Sequence, residues 1–123
     1  MSRIEPTPRL RRYCAFGLRI EADLALPELE PDAESGPPDL RIRLGSAPSI
    51  LNAEAPAAFR FQDDEALLSW RDVGDFQILG RDLIVYQPRA GVDDALVSLP
   101  LLGPVMGVLL ERRGLLTLHG SAV

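Results

Sequence analysis

Lysine is absent from this 123-residue chain, in which all 13 basic residues are arginine. A Walker A loop needs a lysine to reach the phosphates of a nucleotide, and a Schiff-base enzyme needs an amine as its nucleophile. These residues by themselves can therefore build neither a nucleotide-phosphate loop of that type nor a Schiff-base site.

Cysteine and histidine are each present once, as Cys14 and His119. A single cysteine forms no internal disulfide and no thiolate metal cluster, so the composition predicts Cys14 to be a small buried hydrophobic residue. His119 could act as a general base for Ser121, which lies two residues further along the same predicted strand, but no orienting carboxylate accompanies the pair. The pattern thus disfavours a small hydrolase and a metal site.

Acidic residues outnumber basic residues by 18 to 13, which gives a net charge of -5. Such a balance repels a phosphate backbone, so we expect no nucleic-acid partner. The N-terminal residues carry no apolar stretch typical of a signal peptide, which predicts a cytoplasmic protein. Ala95–Leu110 is apolar but shorter than the roughly 20 residues of a membrane span, and prolines interrupt it, so we expect a core helix and no membrane partner.

Short strands separated by turns fill the first two-thirds of the chain. Arg11–Ile20 is predicted as one strand bent at Gly17, and 59–88 as a meander of four antiparallel strands. The aromatic residues of this meander are expected in the core: Phe59, Phe61, Trp70, Phe76 and Tyr86. The aspartates are expected to be solvated turn residues: Asp63, Asp64, Asp72, Asp75, Asp93 and Asp94.

A helix is predicted late in the chain, because apolar residues recur at helical spacing from about residue 102 to residue 113. Gly114 suits the left-handed position that ends a helix, and strand character returns after it. The sequence therefore predicts an α+β fold. It consists of a small, mostly antiparallel β-rich domain with one late buried helix (about 102–113) and a final strand.

Alternation in Asp39–Gly45 predicts a half-buried strand whose Arg41 and Arg43 face water or a partner. Arginines at a sheet edge could pair with an extended acidic peptide by strand addition. Arg41 and Arg43 are therefore the candidate peptide-binding residues.

Three parts of the chain resemble a known family: "YCAFGLRIEADLALPEL" (Tyr13–Leu29), "LLGPVMGVLLERRGLLTLHGSAV" (Leu101–Val123) and the acidic meander between them. They are similar to the N-terminal part of the HPr kinase-like proteins. That group includes HPr serine kinase relatives and kinases found near lasso-peptide and other peptide-modification genes. The resemblance implies that Val123 lies just before a Walker A loop. It also implies that His119, Gly120 and Ser121 lie close to the nucleotide phosphates in a longer chain.

Two functions follow from this resemblance as expectations. In the first, residues 1–95 form a β-rich accessory domain for substrate recognition or assembly, and residues 96–123 lead into an ATP- and Mg²⁺-dependent serine kinase core. No catalytic site, metal or cofactor is then expected within these residues themselves. In the second, the chain is a free-standing module that binds a protein or peptide and acts with a separately encoded kinase. An open final strand would also favour a homo-oligomer.

Overall fold

The computed structural model describes residues 9–34 and 36–114, which form one mixed eight-stranded sheet with a helix on one face. The strands are β1 (Arg11–Ala15), β2 (Leu18–Ala22), β3 (Glu30–Pro31), β4 (Leu40–Leu44), β5 (Ala57–Phe61), β6 (Glu65–Trp70), β7 (Gly74–Leu79) and β8 (Leu83–Pro88). Their order across the sheet is β3-β1-β2-β4-β8-β7-β6-β5. The predicted α+β, strand-rich class is confirmed, whereas the predicted final strand lies outside the described residues.

β1 and β2 form a hairpin with a two-residue turn, whereas the sequence predicted a single bent strand. Ala15 pairs with Leu18, and the turn residues Phe16 and Gly17 both have positive φ, at 59° and 76°. Two consecutive positive φ angles give the turn twist that suits a tight hairpin. The prediction was wrong because phenylalanine is not a typical residue for that conformation, so the turn has no clear sequence signal.

β4 lies in the middle of the sheet and is parallel to both of its neighbours, β2 and β8. Leu40 and Ile42 are fully buried on the face that the helix covers, here called the inner face. Arg41 and Arg43 project from the opposite face, here called the outer face. The alternation predicted for this strand is confirmed, but its place at a sheet edge is wrong.

The helix runs from Asp94 to Arg112 and begins eight residues earlier than the predicted start at residue 102. Its first part, α1 (Asp94–Pro100), is N-capped by the Asp93 side chain, which accepts a hydrogen bond from the Leu96 amide. A π-helical turn over Leu101–Val105 joins it to α2 (Met106–Arg112). Pro104 lacks an N–H for the preceding turn, and the wider π spacing absorbs that loss. Proline was expected only in a first turn, which placed the start too late.

Buried residues of the helix pack on the inner face and close the main core, with Val97, Leu101, Val105 and Leu109 at 0–1% exposure. By length and composition the helix could cross a membrane, but 44% of its most apolar window is buried inside the domain. A core helix of a soluble protein meets the same two criteria. The packing therefore fits a soluble domain.

The aromatic residues divide between core and surface. Phe76 and Tyr86 are buried as predicted, and Trp70 is half-buried between them and the sheet edge. Phe59 and Phe61 are 51% and 57% exposed, contrary to the prediction, because they lie on the last strand of the sheet. The apolar inner face therefore extends further towards β5 than the helix covers.

A loop over residues 45–56 covers one end of the outer face. It is held by a bond from the Ala47 amide to Gln87 Oε1 (2.8 Å) and one from the Ile50 amide to Ser69 Oγ (3.2 Å). Asp75 lies at the same end. It is 3% exposed and forms a two-pronged ion pair with Arg89, so the prediction of a solvated turn aspartate was wrong here. The remainder of the outer face, around Arg41 and Arg43, is more open.

Candidate functional site

The residues proposed from sequence do not come together in one described site. Arg41 and Arg43 project from the outer face of β4, whose two edges are already paired with β2 and β8. An incoming peptide therefore cannot add to β4, and strand addition beside Arg41 and Arg43 is excluded. His119, Gly120 and Ser121 lie outside the described residues.

The open edge of the sheet is β5. In its hairpin with β6, the Gln62 amide donates to the Glu65 carbonyl, and the Arg71 amide donates to the Pro56 carbonyl. Hydrogen-bonded pairs alternate along an antiparallel ladder, so Ala58 and Arg60 also direct their N–H and C=O groups towards β6. The N–H and C=O groups of the intervening residues point away from β6. These residues are Ala57, Phe59 and Phe61, and their outward groups are here called the β5 edge.

Side chains on β5 give this edge two chemically different faces. Phe59 lies on the inner face in edge-to-face contact with Trp70, with ring centroids 5.3 Å apart, and Trp70 contacts Phe76 in the same way at 5.6 Å. Phe61 is opposite the buried Ala66 on that face. Arg60 is exposed on the outer face. An added strand would therefore meet an apolar surface on one side and a cation on the other.

The opposite edge of the sheet is less suited to strand addition. β3 has only two residues, Glu30 and Pro31, and both are exposed. Proline provides no N–H, and short or charged edge strands are common means by which proteins prevent unwanted pairing. Among the described strands, β5 is thus the edge best able to accept another strand.

A second group of interest lies on the open outer face. Glu21 of β2 receives hydrogen bonds from Arg12 Nε (3.1 Å) and Arg43 NH2 (2.5 Å), and Arg41 Nε lies 3.9 Å from it. Arg12, Arg41 and Arg43 around Glu21 are here called the arginine cluster. Burial by itself would raise the pKa of Glu21, but the hydrogen bonds and positive charges of Arg43 and Arg12 outweigh it, so the pKa is lowered. Glu21 is therefore ionised at neutral pH.

Other possible sites are less developed. Cys14 is exposed on the outer face, not buried as predicted, because no element covers β1 there. An open depression of about 460 Å³ is lined by residues 52–55 of the loop. Within the described part of the chain, no group of three or more His, Cys, Asp or Glu side chains is placed to hold a metal ion.

Comparison with known proteins gives no assignment: no family model, curated protein or solved structure matches the chain.

Sequence reasoning missed the β5 edge, and it missed Arg12 and Glu21 as neighbours of Arg41. β5 is the first strand of the meander, and the connection before it is long and contains prolines. A strand in this position is a natural candidate for a sheet edge, so the sequence before Phe59 contained a signal for it. The proximity of Arg12, Glu21 and Arg41 depends on the order β1-β2-β4, which a non-local parallel pairing sets. Local patterns contain no information on that pairing.

Proposed function

We propose that this chain is a recognition domain that binds an extended polypeptide segment by adding it to β5. The observation that carries the proposal is the β5 edge, whose outward backbone groups lie next to two exposed phenylalanines. Strand addition draws its affinity from backbone hydrogen bonds and its specificity from alternate side chains. Both components are available at this edge.

Chemistry on the two sides of β5 defines the ligand. Side chains of an added strand alternate between the faces, so every second residue would pack beside Phe59 and Phe61, where apolar groups bury best. Residues on the other side would lie near Arg60, which favours an acidic side chain there. The expected ligand is an extended segment with apolar residues at alternate positions and at least one carboxylate between them.

The proposed biological setting comes from the resemblance to HPr kinase-like proteins. The domain would present a protein or peptide substrate in the cytoplasm to a serine kinase core that uses ATP and Mg²⁺. That core would act either in the same polypeptide or as a separately encoded partner. Reading the codons after Val123 separates the two arrangements. A glycine-rich loop ending in Gly-Lys-Ser or Gly-Lys-Thr within about 20 codons indicates a kinase core in the same polypeptide. A stop codon with a separate kinase gene nearby indicates a separately encoded partner. If the downstream codons show neither of these results, the kinase setting has no support.

The binding proposal is tested with a library of short extended peptides and the full chain. We expect enrichment of peptides with apolar residues at alternate positions and slowed hydrogen exchange at the amides of Ala57, Phe59 and Phe61 in the complex. Phe59→Asn should weaken binding about tenfold, since it removes an apolar contact at the centre of the edge.

Phe16→Asn provides the matched control, because it also removes an exposed phenylalanine but lies on the β1–β2 turn. It should leave peptide affinity unchanged. Equal losses in the two variants, or protection of amides in β3 instead of β5, would contradict the proposal.

A further inference from the structure

The arginine cluster holds three guanidinium groups and one carboxylate, Glu21, in a chain whose net charge is -5. Asp32 also lies beside Arg12, directly after the neighbouring strand β3, where it is paired with Arg19 outside the cluster. Glu21 is largely covered, with 14% of its side chain exposed, and its hydrogen bonds come from Arg12 and Arg43. Its charge is thus satisfied inside the cluster.

Arg41 is the member of the cluster with donors to spare. Its side chain is 51% exposed and makes no hydrogen bond within the described part of the chain, and its Nε stays 3.9 Å from Glu21. Arg43, by contrast, already donates to the Glu21 carboxylate and to the carbonyls of Glu21 and Ile42. Guanidinium groups bind carboxylates and phosphates through paired N–H donors, and Arg41 still has its full set.

Neighbouring side chains favour a macromolecular ligand over a small molecule. Arg41 is paired across the strands with Leu83, and Arg43 with Val85, and both apolar residues are half-buried on the same face. A sheet face of this kind provides no walls to enclose a small molecule, whereas it suits the flat surface of a protein partner. The acidic balance of the chain disfavours nucleic acid.

We propose that the arginine cluster binds a carboxylate of an acidic polypeptide segment, with Arg41 as the contacting residue and Arg12 and Arg43 supplying positive charge. This site is distinct from the β5 edge. The two lie four strands apart in the sheet, or about 19 Å at ordinary strand spacing. Either proposal can therefore fail without the other.

Labelled hexaglutamate and hexaglutamine are suitable probes, measured by fluorescence anisotropy with the full chain at low ionic strength. We expect hexaglutamate to bind, hexaglutamine not to bind, and amide shifts in the complex to centre on Arg41 and Leu83. Arg41→Gln should weaken hexaglutamate binding about tenfold or more, since it removes a charge-assisted pair.

Arg81→Gln is the matched control. It removes the same charge from an exposed arginine in the β7–β8 turn, and its loss should change affinity less than about twofold. Equal weakening in both variants would show attraction by overall charge alone and overturn the proposal, as would equal binding of the two peptides. Tighter binding of inorganic phosphate than of hexaglutamate at Arg41 would assign the site to phosphate and overturn the polypeptide assignment. Loss of hexaglutamate binding in Phe59→Asn with none in Arg41→Gln would place the peptide at β5 and equally overturn it.

Discussion

Phe16 holds a backbone conformation that its side chain disfavours. Its φ of 59° lies in the left-handed region. A β-carbon is crowded there, and such a conformation costs about 1–2 kcal/mol for most residues. The side chain recovers little of this cost, because 44% of it is exposed to solvent. The hairpin is instead fixed by its strands, whose five paired positions include the buried Tyr13 and Ile20.

Replacement of Phe16 by asparagine should stabilise the domain. Asn-Gly is the preferred pair for a two-residue turn with both φ angles positive, and we expect a gain of about 1 kcal/mol in the free energy of unfolding. Thermal unfolding should show a midpoint higher by about 4 °C. A β-carbon added at Gly17 would meet open space, but the φ of this residue is 76°. Gly17→Ala should therefore lower the midpoint through backbone strain alone. An unchanged midpoint for Phe16→Asn would show that the turn is not strained.

At the scale of single elements, β5 depends on β6 along one side only. Ala58 directs its N–H towards the Ser69 carbonyl of β6, and Ser69 is fully buried. Ala57 directs its N–H away from the sheet and is the first residue of the strand. The amide of Ala58 is therefore part of the β5–β6 ladder, whereas the amide of Ala57 is not.

This difference predicts opposite outcomes for two proline substitutions. Ala58→Pro should lower the free energy of unfolding by about 2 kcal/mol, because a buried carbonyl loses its donor. Ala57→Pro should change it by less than about 1 kcal/mol, since proline is tolerated at the first residue of an edge strand. Urea unfolding measures both. Ala57→Pro should nevertheless weaken peptide binding, because it removes an outward donor. Similar destabilisation by the two variants would mean that the outward amides are already paired.

At the scale of the whole molecule, the two ends of the sheet are unequal. One end is closed by the two-residue strand β3 and its proline, whereas the other ends in the five-residue strand β5. Buried helix residues pack on the centre of the inner face and leave Phe59 of the last strand exposed, and at this end the helix residue Arg112 donates to the carbonyls of Gln62 and Asp63 in the β5–β6 turn. Association by strand pairing is therefore expected at the β5 end of the molecule.

Self-association should occur at the same end when no peptide is present. Antiparallel pairing of two β5 strands about Phe59 places the two Phe59 side chains opposite each other, Ala57 opposite Phe61 and Ala58 opposite Arg60, so no arginine faces another. One strand pair buries less area than a stable interface needs, so a weak dimer is expected at concentrations on the order of 100 µM. Sedimentation velocity should show it, and Phe59→Asn or excess peptide should abolish it. A dimer that persists in both conditions must use another surface.

The sequence determined the α+β class, the meander, the alternation of β4 and the end of the helix. Each of these depends on local periodicity: a strand alternates every two residues, and Gly114 ends a helix wherever that helix packs. The helix start was wrong because the helix accommodates Pro100 at the end of α1 and Pro104 in the π-helical turn. The β1–β2 turn was missed because Phe16 gives no turn signal.

Only the tertiary structure decided that β4 lies inside the sheet and which arginines meet. β4 looked like an edge strand because it carries arginines, yet parallel pairing on both sides places it at the centre. Phe59 looked like a core residue because it is aromatic, yet the sheet ends at its strand. Strand order is set by contacts between residues far apart in the chain, such as Ile20 with Leu40 and Ile42 with Ile84. No local pattern encodes these contacts. The candidate sites depend on that order, and for this reason the structure moved the proposed strand addition from β4 to β5.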